Sequence, residues 1–158
     1  MKPLLYDILK RVFVKLDCNN FVCGKSEVIT TFKENDSVRK DSFPCIIAFT
    51  PFSLVSSSGE FIDVSIPKIV IANNCGEFEK TEKKYLDNGN FKSVLYPIFE
   101  NFLKNLVRDK NVTTNSEDEL LYELIEIPSM QSELFGSYFY DSLEIRNLNF
   151  KITKTKKC

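Results

Sequence analysis

The run from Phe61 to Asn73, FIDVSIPKIVIAN, constrains this chain more than any other stretch. Ile62, Val64 and Ile66 alternate with other residues, and beyond Pro67 the pattern resumes out of phase at Ile69 and Ile71. Strict alternation buries one side of an extended strand, whereas a helix would need spacings of three and four. Proline cannot donate a ladder hydrogen bond. The strand is therefore expected to carry a bulge at Pro67, or else to turn that side to an edge.

Two segments show helical spacing instead. Leu4, Leu5, Ile8, Leu9, Val12, Phe13 and Leu16 predict an amphipathic helix over residues 3–17, with Pro3 in its first turn. Val94, Leu95, Ile98, Phe99, Phe102, Leu103, Leu106 and Val107 give the strongest stripe in the chain. Ser93 can cap that second helix, which places Pro97 about one turn in, where a shallow kink is expected.

The remaining apolar pieces read as strands. Phe21 to Cys23 and Val28 to Phe32 suggest a weak hairpin, Pro44 to Phe52 a mostly buried strand, and SLVSSSGEF a polar connection. Leu120 to Ile127 and Leu143 to Ile152 suggest two more, the second alternating after one slip. Ser116 with Glu119 also fits a capping box, so residues 117–126 are open to either a strand or a short helix. The sequence thus predicts an α+β domain over residues 1–152 with a mainly antiparallel sheet and two helices packed on one face, followed by a basic tail, 153–158. Leu9, Phe13, Ile47, Ile69, Ile71, Leu95, Ile98, Phe102 and Leu106 should form its core.

Composition narrows the chemistry. The 158 residues contain no histidine, which removes the usual general base, the commonest metal ligand and imidazole-dependent triads. A formal net charge of −1 gives no global pull towards nucleic acid or acidic membranes. Every hydrophobic run is cut by Lys, Asp, Glu or Asn well before the roughly 20 apolar residues of a membrane helix. Cys18, Cys23, Cys45, Cys75 and Cys158 form an odd set with no CxxC pair and no zinc-module spacing, so they read as reduced thiols in a cytoplasm, without a metal. The carboxylates at Glu77, Glu79 and Glu82, and from Glu117 to Glu126, match no EF-hand spacing and read as a solvated surface. SSSGE at Ser56 to Glu60 is neither a P-loop nor a nucleophile elbow. No catalytic residue, cofactor or metal site is expected, and the chain is not expected to be an enzyme.

At IIAFTPF, IPKIVIAN, FKSVLYPIFENFL and YDSLEIRNLNFKI the chain resembles small neck and tail-terminator-type ring proteins of tailed phages, in particular crAss-like phages of Bacteroides-like hosts. The likeness covers most of residues 40–152 and does not extend to residues 18–40. It rests on strand and helix phrases, with no catalytic signature among them. The resemblance implies a virion structural protein, assembled in the host cytoplasm, that forms a sixfold or twelvefold homo-oligomeric ring in the head–tail connector or tail. Such a ring would meet portal, adaptor or tail ring proteins and would enclose DNA only as channel contents. A small intracellular binding module or assembly chaperone without catalysis is the alternative.

An assembling subunit must expose its contact residues. The last strand, Leu143 to Ile152, is expected at a sheet edge, where it could pair with a neighbour. Phe52, Leu54 and Val55, together with Phe135, Tyr138, Phe139 and Tyr140, have no periodic place in the core. With Leu143 and Ile145 they are the candidate subunit-interface residues. For Phe52, Leu54, Val55, Phe135, Tyr138, Phe139 and Tyr140 the alternative is a satellite cluster packed under their own loops.

Overall fold

The computed structural model describes residues 4–18, 20–24, 43–56, 59–74, 89–128 and 140–153. Its elements are α1 (Leu4–Val14), β1 (Asn20–Gly24), β2 (Cys45–Phe49), β3 (Ser53–Ser56), β4 (Phe61–Asn74), α2 (Tyr96–Arg108), β5 (Leu121–Ile127) and β6 (Tyr140–Thr153). Six strands form one sheet in the order β1-β2-β4-β6-β5, with β3 on the same flank of β4 as β2. The fold is α+β and the sheet mainly antiparallel, but β1 pairs with β2 in parallel, so the sheet is mixed. Val28 to Phe32, the second half of the expected hairpin, lies outside the described residues.

The long pair β4–β6 is the spine. Its register runs unbroken from Phe61↔Thr153 to Asn74↔Tyr140, and on either side of Pro67 it continues from Ile66↔Leu148 to Lys68↔Arg146. No residue is inserted into β4 there, so the expected bulge at Pro67 is corrected. Both strands change face together instead. Ile62, Val64, Ile66, Ile69 and Ile71 lie directly opposite Ile152, Phe150, Leu148, Ile145 and Leu143, and all ten are buried on one side. A bulge in β4 alone would have moved half of its apolar set to the wrong face. Pro67 is tolerated because β2 pairs with Lys68 to Ala72 and β3 with Ile62 to Ser65, leaving Pro67 opposite the passage between those two strands.

The irregularity sits in β6, on the β5 side. Leu121 pairs with Asn149 but Glu123 with Arg146, so β6 carries the extra residue, and Asn147 there has φ 52°. This accounts for the slip in the apolar pattern of the last strand. Asparagine is among the few L residues that visit this left-handed region readily. Asn147→Val should cost about 1–2 kcal/mol, whereas Asn147→Gly should fold as well as the parent, a contrast that urea titration of the two variants would read directly.

Ser53 to Ser56 was expected within a polar connection and is instead a strand, paired with β4 from Ser53↔Ser65 to Ser56↔Ile62. Serine flanks hide such a short strand from periodicity, whereas the unpartnered half of β4 provides its template. The chain returns to β4 through Gly59 at φ 86°, a conformation that favours glycine.

Ser93 does not cap the second helix. It lies in a π-turn, Phe91–Leu95, that leads straight into α2, where the Tyr96 N–H donates to the Phe91 carbonyl. Pro97 lies in the first turn of α2. In an ordinary helix its ring would crowd the carbonyl four residues earlier, and its missing N–H would orphan it. A wider turn at this point relieves that conflict. At residues 116–119 the capping signal is realised: Ser116 Oγ accepts the Asp118 N–H at 3.2 Å over a 3₁₀ turn, Glu117–Glu119, and β5 follows. Turn and strand are therefore both present.

Both helices pack on the face that carries the paired isoleucines. All nine predicted core residues are buried, with Ile47 alone on the opposite face. That second face is not bare: Phe43, Cys45, Ile47, Val70, Ala72 and Tyr140 form a smaller apolar cluster there. Among the described residues no helix is long and apolar enough to cross a membrane.

Candidate functional site

Among the described residues, the candidate interface side chains lie on two different strands, β3 and β6, with Phe52 just before β3. Leu54 and Val55 are 49% and 59% exposed on β3, while Phe52 packs partly against the main core. Tyr140, Leu143 and Ile145 are buried. β6 runs between β4 and β5, so the expectation that it forms an edge is corrected, and its apolar side chains are buried within the chain's own core. A strand so long and so apolar is held in the middle of the sheet because it can then bury pairs on both flanks. Phe135, Tyr138 and Phe139 lie outside the described residues.

Four of the exposed large apolar side chains, Leu54, Val55, Leu121 and Tyr122, lie on two strands that each pair on one side only among the described residues. On one flank of the β4–β6 spine, β3 is exposed along its whole length and pairs only with β4 among the described residues. On the other flank β5 pairs only with β6 among the described residues, and Leu121 and Tyr122 are 67% and 38% exposed. Sequence reading missed β5 as the edge because its alternation resembles that of a half-buried strand. The signal available was its two carboxylates, Glu123 and Glu126, since charge is common on edge strands.

The β5 edge is held against α2. Phe99 meets Tyr122 edge-on with ring centroids 5.7 Å apart, and Tyr96 Oη donates a short hydrogen bond to Glu126. That bond, with some burial, pushes the Tyr96 phenol up to about 12, because losing its proton would leave two negative groups together.

Two charge clusters brace the fold. Arg11 of α1 makes two hydrogen bonds of 2.9 Å to Asp109, which ends α2, and one of 2.8 Å to Asn111. Asn111 in turn accepts the Thr153 N–H at 2.9 Å, so the clamp joins both helices to the end of β6. Burial alone would push the Asp109 carboxyl up, but Arg11 and the Asn111 N–H outweigh it and hold it below its ordinary value. A carboxyl depressed on folding contributes stability that is complete above its unfolded value and is lost as pH falls through the folded one. Arg11→Met should therefore cost about 1–3 kcal/mol at neutral pH, and the gap between parent and variant should narrow in urea titrations below about pH 4.

The second cluster lies on the other sheet face. Glu144 is 3% exposed at its side chain, yet Lys68 Nζ lies 2.8 Å and an Arg146 terminal nitrogen 2.6 Å from its carboxylate. Lys68 also sits 4.9 Å above the Phe49 ring. At the far end Asn73 donates to Asn90, and Asn90 donates to the buried Asp141, tying β4 and β6 to the start of the second helix.

Beside β5, an open groove of about 490 Å³ is lined by Asp63, Thr113, Thr114, Glu119, Leu121 and Lys151 among others. The ion pair Lys151 to Asp63 at its wall, 3.8 Å long, is well exposed and screened by water. Among the described residues no three groups are gathered as metal ligands. Cys18 Sγ donates to the Pro44 carbonyl at 3.3 Å, and burial pushes the Cys23 and Cys45 thiols up, which favours the unreactive protonated form.

No protein-family model matches the chain, and no curated protein matches it either.

Proposed function

We propose that the chain is a structural subunit of a tailed-phage virion, forming a ring in the head–tail connector or tail that joins portal-side and tail-side components around the DNA channel. The observation that supports this reading is that β3 and β5, on opposite flanks of the β4–β6 spine, each pair on one side only among the described residues. A ring subunit must offer one surface to a different surface of its neighbour. Two unlike edges that both expose apolar side chains meet that requirement. Leu54 and Val55 supply one and Leu121 and Tyr122 the other.

The bracing suits the role. A subunit that carries load between rings works through fixed geometry, and here both helices, the spine and its far end are tied by side-chain hydrogen bonds. Size exclusion with mass measurement, together with analysis of purified phage particles, tests the proposal. A closed ring and the presence of the chain in particles support it. A persistent monomer absent from particles overturns it and favours a small binding module or assembly chaperone.

A further inference from the structure

We draw no further inference here: the strongest candidate, the surface patch along β3 where Leu54 and Val55 are exposed on one flank of the sheet, carries nothing because nothing in the structure shows what covers it.

Discussion

Phe102→Ala is expected to destabilise the protein by about 3–5 kcal/mol. The residue is fully buried in α2, and its ring stacks on Phe13 of α1 with centroids 5.4 Å apart. Phe13 stacks in turn on Phe21 of β1 at 4.1 Å, so the ring lies in an aromatic row that joins both helices to one end of the sheet. Alanine would leave a void that none of these elements can close independently, because α2 is also fixed through Arg11 and Asp109. For a chain of this size the loss corresponds to a fall in Tm of about 6–20 °C. Val14→Ala is the control, since Val14 is 76% exposed on α1 and its truncation should stay within about 0.5 kcal/mol. Equal melting of Phe102→Ala and the parent would place the buried face of α2 elsewhere.

Much of this architecture is legible in one dimension. Helical spacing located both helices, and the nine proposed core residues are buried, because each lies on an apolar stripe that only burial explains. What periodicity could not supply is pairing. The out-of-phase runs at Pro67 and in the last strand each looked like a local defect, yet they are the two halves of one event, visible only when Ile66 is set against Leu148 and Ile69 against Ile145. The last strand looked like an edge because it ends the periodic sequence, whereas β5, earlier in the chain, is inserted outside it.

The same limit applies to the polar residues. Arg11 and Asp109 are 98 positions apart, and nothing in their local sequence distinguishes them from surface charge. Glu144 occupies a position that alternation assigns to the wet side of a strand, and it is buried because this sheet has apolar cover on both faces. Exposed apolar residues are harder still. Leu54 and Val55 could be suspected because they fit no core pattern, but Leu121 and Tyr122 fit one well and are exposed nonetheless.

Glu144 also provides the sharpest test of the second face. A carboxylate 3% exposed must be compensated, and Lys68 and Arg146 both do so at hydrogen-bond distance while remaining 36% and 46% exposed themselves. Removing either cation leaves the other, so Lys68→Met and Arg146→Met should each cost about 1 kcal/mol, Lys68 through its hold on the Phe49 ring as well. Removing both strands a charge in an apolar setting opposite Val70 and beside Ile125, and should cost about 3–5 kcal/mol. The excess over the sum of the single substitutions, about 1–3 kcal/mol, is the signature of a shared partner. Adding Glu144→Met to the double variant should restore most of the loss, because no charge is then left buried without its partners. Guanidinium titrations of the four variants at neutral pH measure each term. Strict additivity, or no recovery on removing Glu144, would mean that water reaches this carboxylate and that the second face is more open than its neighbours' burial implies.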